Sequence, residues 1–181
     1  MVRSLRIGAR LALPLLLSVC LASVALAGCN ARPKRQAPPA AVAVAKSLAK
    51  PALTKRPEPR APLEQFVQQH VEEGDAAGVR VIVYVGATWC EPCKHFHKAL
   101  DSGELDKSLA GTQFLEFDAD RDRDELRAAG YGSKYIPLFT VPDPDGRASL
   151  HRIEGSVKGT NAVRDDLVPR LLAMLNEKRP G

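Results

Sequence analysis

Cysteine is scarce in this sequence: four in 181 residues, two of which, Cys20 and Cys29, fall near the N-terminus. The other two, Cys90 and Cys93, therefore have no second Cys-x-x-Cys pair beside them, which excludes a zinc site made of cysteines alone. No internal repeat is visible. Acid is nearly missing from residues 30–62, where eight basic residues stand against Glu58 alone. Apolar periodicity is missing from the same stretch, which carries Pro33, Pro38, Pro39, Pro51, Pro57, Pro59 and Pro62. Such a segment has too little to bury and reads as a semi-rigid tether, with at most a transient helix over Ala41–Ala49. At about 3.1 Å per residue it reaches roughly 100 Å at most.

Residues 1–28 read as an address. Arg3, Arg6 and Arg10 form a basic start, and Leu11 to Ala27 is apolar. With no Arg-Arg pair, general secretion is expected rather than the twin-arginine route. Leu26-Ala27-Gly28-Cys29 resembles the bacterial lipobox, in which the cysteine is acylated and becomes the new N-terminus. An uncleaved anchor is the alternative, since Leu11 to Gly28 is almost long enough to span a bilayer. Both readings put the remainder outside the cytoplasm, on the membrane of a bacterial cell envelope. Asn30, in place of Asp, points to the outer membrane by the enterobacterial sorting rule.

The formal charge of +5 divides unevenly. From Leu63 onward there are 15 basic residues against 20 acidic, a net of −5. A mildly acidic domain over residues 63–181 on a basic tether over 29–62 argues against nucleic acid as the partner of the folded part. The tether's cations could lie on anionic headgroups, at up to about 1 kcal/mol each, or simply be solvated.

The informative stretch begins with the run Val79-Arg80-Val81-Ile82-Val83-Tyr84-Val85, whose β-branched residues read as a buried strand. Gly86 breaks it, and Glu91 onward, with Pro92 near the front, suits the first turn of a helix. Two cysteines separated by two residues at such a turn can close a small disulfide. The first sulfur is expected to be exposed at a helix N-terminus, where unpaired N–H groups and the helix dipole favour a thiolate. That makes Cys90 the candidate nucleophile and Cys93 the resolving thiol.

Around this turn the pattern predicts a helix from Leu63 ending near Gly74 and Gly78, a helix from Glu91 to about Leu100 and a helical turn at Leu105–Leu109. A strand over Thr112–Phe117, a charged helix closing at Gly130 and a strand over Ile136–Val141 follow. Asp145-Gly146 favours a hairpin into a strand at Ala148–Ile153. Thr160 is expected to cap a final amphipathic helix that Pro169 kinks. His70 reads as a helix-surface residue. From Leu63 there is enough chain for one core, not two.

Trp89-Cys90-Glu91-Pro92-Cys93-Lys94 resembles the active site of the thioredoxin superfamily, and its Glu-Pro dipeptide is similar to that of membrane-tethered reductants of the TlpA/ResA type. Tyr131-Gly132-Ser133-Lys134-Tyr135-Ile136-Pro137, followed by Leu138-Phe139-Thr140-Val141, resembles the family's segment ending in a cis-proline. Gly155 resembles the glycine after its last strand. Cys93 to Lys98, with Leu100 to Leu105, is similar to the C-terminal thioredoxin domain of the membrane reductase DsbD, whose polytopic membrane part is absent here.

The resemblance implies an α/β, thioredoxin-like fold with a central mixed sheet of about four strands flanked by helices. It implies a thiol–disulfide oxidoreductase whose only redox group is a Cys90–Cys93 disulfide, with no metal or other cofactor. Protein disulfides as substrates, a membrane dithiol donor as partner and a monomeric state follow from it. Trp89 would offer an apolar docking surface, and Ile136, preceding Pro137, backbone groups for a substrate strand. With Cys20 lost in the signal and Cys29 lipidated, no structural disulfide remains possible within the chain.

Direction depends on how well the thiolate is stabilised. Glu91 should raise the thiol pKa and argues for a reductant, while Lys94 and nearby histidines pull the other way if protonated. Tyr84 stands where thioredoxin has a buried Asp, and Glu116 on the neighbouring strand is the carboxylate that could replace it. Two other classes stay open. A copper or zinc carrier could use Cys90, Cys93 and one of His95 or His97, since steps of about 200° around a helix prevent both from joining Cys93; otherwise both histidines read as surface residues. A redox-inert interaction module is the other.

Overall fold

The computed structural model describes residues 50–177. The expected secretion signal, the expected lipidation site Cys29 and the stretch read as tether, as far as residue 49, lie outside the described residues. Among the described residues no helix is long and apolar enough to cross a membrane.

Strand β2 (Arg80–Gly86) is the axis of the molecule, and its alternation explains why. Val81, Val83 and Val85 belong to one buried cluster and Ile82 and Tyr84 to another, as the two-residue period of a strand requires. The first face is covered by Leu63, Phe66, Val67 and Val71 of helix α1 (Leu63–Ala77). The second is covered by Phe96 and Ala99 of α2 (Glu91–Asp101), and by Leu171 and Met174 of the last helix, α4 (Val168–Asn176). Each large apolar side chain so buried contributes about 1.5–3 kcal/mol. A strand covered on both sides reads as a continuous apolar run.

β3 (Thr112–Asp118) lies parallel to β2, while β4 (Leu138–Pro142) pairs antiparallel with its other edge and β5 (Ala148–Glu154) with β4. Between β3 and β4 runs the short helix α3 (Arg123–Ala128). A fifth strand corrects the expectation of about four. β1 (Ala52–Lys55) pairs parallel with β3, giving the order β1-β3-β2-β4-β5. It lies inside the stretch read as tether, ahead of the expected domain start at Leu63. A strand of four residues, set between Pro51 and Arg56, carries no readable periodicity. Its hydrogen bonds come from β3, and proline is tolerated at a sheet edge. The next residue anchors the strand: the Arg56 guanidinium is buried, 3.2 Å from Asp122 and paired with Glu125, over the ring of Phe117.

Two further expectations are corrected near the C-terminus. Thr160 caps no helix here: the cap of the π turn over Val163–Leu167 is Ala162 and that of α4 is Leu167, neither with a side-chain hydrogen bond. The irregularity expected at Pro169 takes the form of a π turn over Val163–Leu167, followed by α4 with the proline in its first turn. Pro169 has no N–H to donate to the carbonyl four residues back, and a wider turn accommodates that loss.

The Asp143–Gly146 turn does close a hairpin, with Asp143 N–H donating to Arg147 O at 2.8 Å. Gly146 sits at φ +83°, and a Cβ there would meet the Glu64 carbonyl oxygen of α1 at 2.1 Å. Gly146→Ala therefore forces a backbone shift as well as a left-handed alanine, and is expected to cost about 1–3 kcal/mol. A lowered urea midpoint at unchanged slope is the readout; an unchanged midpoint would contradict the close approach.

Candidate active site

β2 ends at Gly86, and the chain turns through Ala87–Trp89 into α2. Cys90 is the N-cap of that helix, with φ −77° and ψ 114°, and its Sγ accepts the Cys93 N–H at 3.3 Å. A short polar or sulfur-bearing cap turned inward satisfies one of the orphan N–H groups of the first turn, where Pro92 has none to satisfy. The same turn brings the two Cα atoms to 5.3 Å, and the sulfurs are joined as a disulfide.

The first sulfur is not exposed as expected: Cys90 is 4% and Cys93 2% accessible. Turning inward to cap the helix and bond Cys93 removes Cys90 from the surface. The exposed large apolar residue at the turn is Trp89, at 64%. Its indole N–H donates to Asp120 Oδ2 at 2.8 Å, which ties it to the loop after β3. Trp89 and Ile136 line one groove of about 580 Å³, with Arg123, Arg127 and Lys134 along it. Ile136 also packs against the cluster that holds both cysteines, and the Ile136–Pro137 peptide bond is cis.

Glu91 stands between the cysteines, but its carboxylate turns to the loop before the π turn. It accepts the Gly159 N–H at 3.3 Å and lies 3.7 Å from His95 Nε2. Lys94 points into a second cavity, of about 550 Å³, behind the disulfide. Cys93 lines this cavity together with Tyr84, His97, Glu116 and Lys55.

Glu116 is thus not a solvent-facing strand residue. It lies directly across from Tyr84 in the β2–β3 register, and its side chain is 18% exposed. Its Oε1 is 3.3 Å from His97 Nε2, and its Oε2 is 3.6 Å from Lys55 Nζ with no hydrogen-bond partner. Burial pushes the Glu116 carboxyl up, but His97 and Lys55 together outweigh it and hold it below the usual carboxylate range. The Tyr84 ring is wedged between Phe96 and Phe139, and its hydroxyl lies 3.2 Å from His97 Nε2. Burial first, then the Glu116 charge, pushes that hydroxyl far above the ordinary tyrosine value, so it stays protonated.

His97 is the residue that sequence reasoning missed, having been read with His95 as surface. A signal existed: it follows Cys93 by four residues, one turn on the same helix face. His95 follows Glu91 by the same spacing on another face, which is why the two histidines part. Among the described residues no group of three or more His, Cys, Asp or Glu side chains converges to hold a metal ion.

Three parallel strands extended by an antiparallel pair carry a Cys-x-x-Cys at the end of the central strand, and a cis-proline leads into β4. The fold is thioredoxin-like. No protein-family model matches the chain, and no curated protein does. Among solved structures, the crystal structure of the long form of thioredoxin f from spinach chloroplast is similar, at 16% identity, 74% of this chain, 93% of that chain and a TM-score of 0.46. Within its own thioredoxin-like frame, this chain puts a tyrosine–histidine–glutamate cluster behind the disulfide and an arginine- and lysine-lined groove in front.

Proposed function

We propose that this protein is a lipid-anchored, extracytoplasmic thiol–disulfide oxidoreductase that reduces disulfides of envelope proteins. The observation that carries the reading is the Cys90–Cys93 disulfide closed across the first turn of α2. In the reduced state the helix N-terminus favours the Cys90 thiolate. That thiolate attacks one sulfur of a client disulfide; a mixed disulfide forms and the other client sulfur leaves as a thiolate. Cys93 then attacks Cys90, the client's second sulfur leaves, and two electrons have passed from the dithiol to the client. A membrane dithiol donor returns the pair to the reduced state.

The groove of Trp89 and Ile136 docks the client as an extended segment, and the cis-proline leaves the Ile136 backbone beside it. The lipobox-like Leu26-Ala27-Gly28-Cys29 supports attachment through lipidated Cys29, and Asn30 favours the outer membrane. The acidic balance of the folded part supports protein rather than nucleic acid as its partner, and a monomer suffices for the chemistry. Glu91 supports the reducing direction: with an acid in place of a cation between the cysteines the thiolate gains no stabilisation there, which keeps the potential low.

Equilibrating the full chain with glutathione and then dithiothreitol buffers tests the direction. A reduction potential near or below about −230 mV is expected. A value above about −150 mV would make the protein an oxidant or isomerase.

A further inference from the structure

Resting on that reading, we propose that His97 takes the proton of Cys93 when the mixed disulfide is resolved, with the Tyr84 hydroxyl as relay and Glu116 as counter-charge. Cys93 is 2% accessible, so its proton leaves by way of the cavity that the residue lines. The space beside it is the cavity that Tyr84, His97 and Glu116 line. Gly86 keeps that space open at its inner end. A Cβ there would lie 2.4 Å from the Tyr84 hydroxyl and 3.4 Å from Cys93 Sγ, so sulfur and hydroxyl border one gap. From the hydroxyl the next group is His97 Nε2 at 3.2 Å, and the same nitrogen lies 3.3 Å from Glu116 Oε1; it accepts from Tyr84 in the tautomer that carries its proton on Nδ1.

Chemistry assigns the roles. A hydroxyl can accept a proton on oxygen while donating its own, so Tyr84 passes charge without holding it. Burial keeps it protonated. Glu116 is a poor terminal acceptor, because its neighbours hold it ionised. Ordinary values are about 8.5 for a thiol, 6.5 for imidazole and 4.3 for a glutamate carboxyl, so imidazole is the closer match to the thiol. An imidazolium beside Glu116 completes an ion pair, and His97, with a third of its side chain exposed, can return the proton to water.

The step balances. The Cys93 S–H proton crosses the gap beside Gly86, by way of water in the cavity, to the Tyr84 oxygen as the Tyr84 proton moves to His97 Nε2. The Cys93 sulfur forms its bond to Cys90, the bond from Cys90 to the client breaks, and the client leaves with the electron pair. The resulting imidazolium releases its proton to solvent or to the departing thiolate. Other charges share the cavity and shape its pH profile: Lys55 from β1, Lys94, Lys98 and Asp101 from α2, and Asp118 at the end of β3.

The test is single-turnover reaction of the reduced mature lipoprotein, in which Cys90 and Cys93 are the free thiols, with one equivalent of Ellman's reagent. The first thionitrobenzoate released is bimolecular and reports Cys90; the second is unimolecular and reports Cys93. In wild type the second rate is expected to rise through a neutral-range ionisation and level off. His97→Gln should slow it by about 100-fold at pH 7 and replace the plateau by a continued rise with pH, leaving the first release unchanged. Tyr84→Phe, which deletes one oxygen, should do the same, and its intact first release certifies folding. Glu116→Gln should move the midpoint to lower pH. Second-release rates equal to wild type in both His97→Gln and Tyr84→Phe, or slowed by one factor at every pH, would overturn the proposal. Absence of a second release in wild type would instead sink the redox reading itself.

Discussion

Reduced protein carrying Cys93→Ser is expected to capture a client disulfide and hold it. Cys90, at the N-cap of α2, still attacks, but a serine hydroxyl is no nucleophile at neutral pH without a base and cannot release the adduct. A covalent Cys90–client complex should therefore accumulate, visible by mass and on a non-reducing gel, and dissolve with dithiothreitol. Cys90→Ser should give no complex, because Cys93 sits inside the first turn and lacks the N-cap position and backbone N–H donor that favour a thiolate at Cys90. Turnover should fall on the order of 10³-fold in either variant, as when one member of an interdependent set is removed. A complex in Cys90→Ser and none in Cys93→Ser would reverse the assignment of nucleophile and resolving thiol.

The largest loss of stability is expected at Asp122, which does not line the cavity behind the disulfide. Its side chain is 1% exposed and takes Arg56 at 3.2 Å and Arg60 at 3.0 Å on one oxygen. The other oxygen accepts the Asp118 backbone N–H at 2.9 Å and the Arg121 guanidinium at 3.3 Å. Asp122→Ala leaves the buried Arg56 with the Ala61 carbonyl and the half-exposed Glu125 carboxylate, and breaking a buried pair on one side costs about 3–5 kcal/mol. That is a large part of the total for a domain of this size, about 5–15 kcal/mol. The loss should appear as a lower urea midpoint and as faster amide exchange over β1, which Arg56 follows.

The pH dependence follows from the same contacts. Burial pushes the Asp122 carboxyl up, but the Asp118 N–H, Arg121 and Arg56 outweigh it, so its folded value lies below the ordinary one. A group with a depressed folded pKa contributes its stability above the unfolded value, about 3.9, and loses it as pH falls through the folded value. Asp122→Asn should flatten the acid limb of the stability curve. An acid limb identical to wild type would show that Asp122 does not drive it.

The features legible in the sequence are those with local causes. A β-branched run from Val81 to Val85 is a buried strand wherever it is covered on both faces, and Asp145-Gly146 turns a hairpin through its own backbone. Cys-Glu-Pro-Cys after Gly86 closes a disulfide because one helical turn brings the two sulfurs together. β1 was hidden because its partners lie in β3 and its anchor, Arg56, is held by residues more than sixty positions away. The cavity cluster was hidden for a similar reason. Cys93 and His97 share a face of α2, but only the β2–β3 register sets Glu116 against Tyr84, and only packing by Phe96 and Phe139 aims the Tyr84 hydroxyl at His97. The inward turn of Cys90 and the failure of Thr160 to cap are also tertiary outcomes, since a cap forms only where the incoming chain lets the side chain reach the helix end. Composition and spacing thus determined the elements and the reacting sulfurs. The register of strands and the packing of one helix face decided which groups surround them, because side chains distant in sequence meet only when the sheet is built.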